Sequence, residues 1–163
     1  MKKILAISDS HVNNLSQLPV ELVQIFKDFD FIVHCGDFTG IKIVQELKEF
    51  KNFFGVVGNV DDFEISKILD KKVVFDINGF KIGIIHPYEG GPPINIKTRI
   101  LKSFGNEKLD LIIFGHTHFA EISEFNSVKF VNPGSCTGKL PALFKSYAII
   151  EIDNEIKARI VRY

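Results

Sequence analysis

Residues 111–118 read LIIFGHTH. Four apolar residues in a row, closed by a glycine and followed by two imidazoles around a threonine, have the form of a buried strand that stops at a polar loop. The chain has five histidines, and two of them stand here. In an open α/β sheet, ligands gather outside the carboxyl ends of the strands. This stretch therefore predicts that fold class and puts a site at the strand end.

Four other apolar runs end the same way. Residues 4–7 lead into Ser8-Asp9-Ser10-His11, and 31–34 into Cys35-Gly36-Asp37. Residues 53–57 lead into Gly58-Asn59, and 80–85 into His86. Together the five ends carry seven donors: oxygen on Asp9, Asp37 and Asn59, nitrogen on His11, His86, His116 and His118. Three of the groups place a glycine just before the ligand, which lets the backbone turn and approach closely. Taken singly, a strand-end histidine or a turn asparagine is ordinary; the joint pattern carries the reading. Seven donors exceed the needs of one four-coordinate ion. They suit two ions, especially if one carboxylate bridges them. A pair about 3.5–4 Å apart is the arrangement used for in-line displacement at phosphorus. Nitrogen and oxygen donors without thiolate fit Mn, Fe, Zn, Co or Ni better than Mg or Ca.

Further strand-length runs lie at 73–77, 128–131, 148–152 and 156–161. Leu15, Leu18, Leu22, Ile25, Phe26 and Phe29 recur at helical spacing, as do Val44, Leu47 and Phe50, with Thr39 as N-cap. Residues 94–104 make a third helical pattern. The first half thus reads β-α-β-α-β, which implies parallel strands. The second half is mostly β, with hairpin steps at Asn78-Gly79, Asn126-Ser127 and Asp153-Asn154. The expectation is an α/β fold: a four-layer sandwich of two mixed β-sheets packed face to face and flanked by helices, as a single domain over 1–163. Gly90-Gly91-Pro92-Pro93 reads as a surface loop. The sixteen phenylalanines read as core filling.

Lys plus Arg equal Asp plus Glu at 20 each, so the chain lacks the basic footprint of a non-specific nucleic-acid binder. Cys35 and Cys136 form no CxxC pair and read as structural thiols in a reducing compartment. The opening MKKILAIS has too short an apolar run for a signal peptide, and no stretch approaches membrane-spanning length. A cytoplasmic location is expected, and a homo-oligomer is compatible with the sequence.

The set DSH (9–11), GD (36–37), GN (58–59), His86 and GHTH (115–118) resembles the calcineurin-like metallophosphoesterases. The short length, HCGDF (34–38) and NPGS (132–135) are similar to their small archaeal and bacterial phosphodiesterase branch. The resemblance implies that Asp9, His11, Asp37 and His118 hold one ion. Asn59, His86, His116 and the bridging Asp37 would hold the other. It implies hydrolysis of a small phosphate ester by a hydroxide bridging the two ions, with Asp37, Asn59 and His86 as catalytic residues and Mn as the first choice of metal.

Two departures stand out. Many members of the family have histidine after the GN asparagine, where this chain has Val60, and a further polar residue after the strand-end ligand, where it has Pro87-Tyr88-Glu89. The cage survives, but no proton donor is identified. Asp61 and Glu89 are the candidate substrate contacts. His34 reads as a core histidine, NPGSCTG from Asn132 to Gly138 as an anion-binding nest or a tight turn, and Lys139 as a solvated lysine. Two alternatives stay open: a metal-binding scaffold of the same fold, and a phosphomonoesterase. A match to the HxHxDH signature of metallo-β-lactamases fails at Ala120 and Glu121.

Overall fold

Among the described residues the order is β1 (Lys2–Ile7), α1 (Val20–Gln24), β2 (Phe31–His34), α2 (Ile41–Lys48), β3 (Phe53–Gly55), α3 (Phe63–Ser66), β4 (Lys72–Ile77), β5 (Phe80–Ile85), α4 (Ile96–Phe104), β6 (Leu111–Phe114), β7 (Glu121–Phe125), β8 (Val128–Asn132), β9 (Ser146–Ile152) and β10 (Ile156–Arg162). The computed structural model describes residues 1–87 and 89–163, so Tyr88 lies outside the described residues.

Consecutive side chains of a strand point to opposite faces, so an all-apolar strand must be covered on both. β1 shows it: Ile4 and Ala6 enter one core with Val33, Ile84, Ile113 and Ile150, whereas Leu5 and Ile7 enter another with Leu22, Ile43, Val44 and Leu47. The first core is the seam between two five-stranded sheets, ordered β10-β9-β1-β2-β3 and β4-β5-β6-β8-β7. The second lies between the first sheet and α1, α2 and α3. A third, with Ile112, Phe114 and Phe130 opposite Ile96, Ile100 and Phe104, seats α4 on the second sheet. The four-layer α/β sandwich follows. Both sheets are mixed: β1, β2 and β3 run parallel, as do β5, β6 and β8, with antiparallel partners outside them. The carboxyl ends of β1, β2, β3, β5 and β6 carry the seven candidate donors.

The single first helix expected from Leu15 to Phe29 is instead three short pieces. 3-10 turns at Leu15–Gln17 and Phe26–Asp28 flank α1. Pro19 explains the break, because proline disfavours helical geometry in the residue before it, and Leu18 is extended at φ −71°, ψ 152°. Five residues cannot hold a helix alone; burial of Leu22 and Phe26 holds this one. Thr39 does not cap α2. It sits at φ 109°, and Gly40 takes the cap position. α3 was not expected; Asp62 starts it by accepting a hydrogen bond from the Ile65 amide at 3.0 Å.

Candidate metal centre

The ligand loops are tied to one another by backbone. Asp9 N–H donates to Gly36 O at 3.1 Å and His11 N–H to Asp37 O at 3.0 Å, joining the loops after β1 and β2. Non-glycine residues rarely adopt positive φ. Yet Asp9 (50°), His11 (49°), Asp37 (60°), His116 (84°) and His118 (62°) all do. Strain of this kind persists where surrounding contacts enforce it, and it gathers at functional sites.

Two glycines make the crowding possible. A Cβ on Gly36, itself at φ +92°, would stand 2.8 Å from His86 Cβ and 2.9 Å from Gly58 Cα. A Cβ on Gly58 would overlap Asp37 at both its amide nitrogen and Oδ1. Gly58→Ala must therefore push two ligand loops apart. We expect a stability loss of about 1–3 kcal/mol, typical of overpacking, together with weaker metal binding. Urea unfolding of the metal-free protein and metal titration check both, and a variant unchanged in each would show that the loops are not in contact.

Asp9, His11, Asp37 and His118 bring one ligand atom each within 4.8 Å of one another. His118 Nε2 lies 3.3 Å from Asp9 Oδ1 and 3.4 Å from His11 Nε2, and His11 Nε2 lies 3.7 Å from Asp37 Oδ2. The other oxygen of Asp37 faces the other way: Oδ1 is 3.4 Å from His86 Nε2. Asn59 Oδ1 sits 2.9 Å from His86 Nε2 and 3.0 Å from His116 Nδ1. Spacings of about 3 Å are those of neighbouring donors at right angles around an ion with bonds near 2.1 Å. All seven donors read from the sequence thus fall into two adjoining clusters that share Asp37.

The outer ring nitrogens fix the tautomers. His86 Nδ1 meets Cys35 O at 2.7 Å, His118 Nδ1 meets Lys139 O at 2.8 Å, and His116 Nε2 meets Gly91 O at 2.8 Å. A carbonyl can only accept, so each of these nitrogens carries the proton and the opposite one turns a lone pair inward. In the neutral rings, three lone-pair nitrogens face the oxygens of buried Asp9 and Asp37 and of exposed Asn59, and they repel unless a cation or a proton lies between them. The donor set fits transition-metal ions for that reason.

The charges agree. Burial pushes the Asp9 carboxyl up, but the hydrogen bond from His118 and the charges of His86 and His118 outweigh it and leave Asp9 below the usual range. Burial opposes charging of His118, yet Asp9 and Asp37 hold it above its ordinary value. Burial dominates at His11 and lowers it, against the pull of Asp37 and Asp9.

The remaining candidates separate. Asp61 spends both oxygens on backbone amides: Oδ1 on Phe38 (2.5 Å) and Thr39 (3.1 Å), Oδ2 on Gly58 (2.7 Å) and Asp37 (3.2 Å). It clamps the GD loop to the GN loop rather than facing the cleft. Glu89 is exposed, at a cavity of about 210 Å³ that His86 also lines. His34 is a satisfied core residue: Nδ1 accepts from Gly36 N–H at 3.2 Å, Nε2 pairs with Ser10 Oγ at 2.9 Å, and the ring stacks on Phe38. The NPGS stretch is a turn that buttresses the site. Ser135 Oγ–H donates to Asp9 O at 2.8 Å, and Asn132 Nδ2–H donates to Thr117 Oγ1 at 3.0 Å. Lys139 is exposed, and its contribution is the carbonyl that orients His118. The orienting carbonyls of Cys35, Lys139 and Gly91 carry no sequence signal, because every residue has one.

Comparison with known proteins shows the family. The family model of the calcineurin-like phosphoesterase superfamily domain matches residues 1–155. The chain belongs to the calcineurin-like phosphoesterase superfamily. It is similar to "Probable metallophosphoesterase MJ0623" of Methanocaldococcus jannaschii, 33% identical over 160 residues, covering 95% of this chain and 78% of the relative. It is also similar to "Phosphodiesterase MJ0936" of the same organism, 28% identical, covering 86% of this chain and 88% of that one. The solution structure of Thermotoga maritima protein TM1076 superposes with a TM-score of 0.77 at 34% identity, covering 100% of both chains. No helix among the described residues is long and apolar enough to cross a membrane.

Proposed function

We propose that this chain is a dinuclear metal-dependent phosphodiesterase acting on a small phosphate ester. One observation carries the reading: the two oxygens of the buried Asp37 carboxylate face two separate histidine clusters, Oδ2 toward His11 and Oδ1 toward His86. Asp9, His11, Asp37 and His118 hold one ion, and Asp37, Asn59, His86 and His116 the other. Mn is the first choice, with Ni, Co, Fe or Zn as alternatives. Two such ions supply positive charge for phosphate oxygens and lower the pKa of water.

The chain's own residues do the rest. Asp9 and Asp37 set the charge of the centre at two units below that of its metals. The backbone carbonyls on His86, His116 and His118 hold those rings aimed inward. Val60, half-exposed beside Asn59, offers no proton to a departing alkoxide. Both oxygens of Asp61 are occupied by amides, which removes it as the acid. Substrates whose leaving group departs without a proton are therefore favoured, and a diester with a stabilised leaving group is such a substrate. The likeness to a protein named phosphodiesterase supports the same choice. Glu89 borders the substrate. The buried free thiols Cys35 and Cys136 suit a reducing, cytoplasmic setting.

Turnover of bis(p-nitrophenyl) phosphate and p-nitrophenyl phosphate, with each ion and with chelator, tests this. The diester should be hydrolysed at least about tenfold faster, and chelator should abolish the activity. A preference for the monoester would make the chain a phosphomonoesterase. Tight metal binding without turnover of either would leave the scaffold reading.

A further inference from the structure

We infer that Arg99, on α4 and outside both ligand clusters, is the positioning residue for the second ion. The inference rests on the ligand set proposed above. Three successive carbonyls of the loop after β5 divide their partners. Gly91 O receives His116 Nε2–H at 2.8 Å. On either side of it, Arg99 Nη1 donates to Gly90 O at 3.4 Å and Nη2 to Pro92 O at 3.0 Å.

Among the described residues, the loop's own backbone contributes one turn bond, from Gly90 N–H to Pro87 O at 2.9 Å. Gly90 and Gly91 stand at φ +64° and +83°, and glycine gives such a segment wide conformational freedom. Pro92 and Pro93 have no N–H to donate. The planar guanidinium fork spans the two outer carbonyls and fixes the middle one. α4 itself is anchored, because Ile96, Ile100 and Phe104 are buried against the second sheet. A rigid line therefore runs from that core through Arg99 and the loop to His116, whose Nδ1 faces Asn59 Oδ1. The arrangement has a cost. Arg99 Nε is buried without a hydrogen-bond partner, and no carboxylate pairs with the guanidinium among the described ion pairs. A cation committed to loop carbonyls under those conditions acts on the loop.

Calorimetric titration of the metal-free full chain with Zn and with Mn tests this. Wild type should show two binding events. Arg99→Met should weaken the second by about tenfold or more, the scale of losing an orienting partner, and leave the first within about twofold. Arg99→Lys, with one donor head for two carbonyls, should fall between. Long-range proton–nitrogen NMR of Arg99→Lys gives a second readout: His116 should lose its fixed tautomer while His86 and His118 keep theirs.

Wild type that binds one ion would overturn the ligand set itself. Wild type that binds two, with both affinities and the His116 tautomer unchanged in the variants, would overturn the role of Arg99 alone. Equal weakening of both events would assign Arg99 to general stability and also overturn it. Should Arg99→Met not fold, the Arg99→Lys titration and spectrum decide.

Discussion

Asp37→Ala should lose both ions and fall to background turnover. The substitution removes the carboxylate that faces both clusters, at 3.7 Å from His11 Nε2 and 3.4 Å from His86 Nε2. The loss should exceed the roughly 100-fold that removal of a mere supporting partner costs. The fold should survive, because Asp37 holds the framework mainly through its backbone: its carbonyl accepts from His11 N–H and its amide donates to Asp61, while its side chain adds one bond, accepted from Val60 N–H at 3.2 Å. Metal analysis, turnover and circular dichroism on one preparation separate these effects. An Asp37→Ala protein that keeps full activity would refute the bridging role. Asp61→Ala gives a useful contrast, since it loosens the same loop from behind and leaves the ligand in place.

Acid should destabilise the metal-free protein through His34. This imidazole is fully buried, and burial holds its pKa down to about 3, against about 6.5 in an unfolded chain. Below pH 6.5 the unfolded chain binds a proton that the native state refuses, so stability falls with pH throughout the window from 6.5 to about 3. The slope from this group approaches about 1.4 kcal/mol per unit, or on the order of 2–3 kcal/mol between pH 6.5 and 4.5. His11, also lowered by burial, acts in the same direction. His118, raised by Asp9 and Asp37 against its burial, acts in the opposite one. Comparison with His34→Gln isolates the His34 share. With chelator present, urea unfolding should show the variant's pH dependence flattened by nearly that slope; equal slopes would mean that His34 titrates normally in the folded protein.

Strands at 31–34, 80–85 and 111–114 were legible to the residue, because each is a mainly apolar run between turn signals and most of its residues are buried, with His34 and Lys81 as the polar exceptions. β7 was not. Its sequence EISEF alternates half-buried and exposed positions at a sheet edge, and two of its five residues are glutamates. Only its turn, Asn126-Ser127, announced it, with both residues at positive φ. The first helix was over-read because apolar spacing continued through Pro19, where backbone sterics end a helix whatever the side chains favour.

The convergence of the seven donors was legible for another reason. Strand ends that converge in space leave donors in sequence next to glycines, and the tight contacts at Gly36 and Gly58 show why those glycines are needed. What could not be read is what orients the ligands. Asp61 looked like a substrate contact, and it gathers four amides from two loops. Arg99 lies 17 positions before His116 with no motif around it, and its partners are carbonyls.

The most direct test of the whole account is anomalous diffraction from crystals grown with Mn. Two peaks per chain, about 3.5–4 Å apart with Asp37 between them, are the predicted result. A single peak, or none, in a fully loaded and folded sample would contradict it.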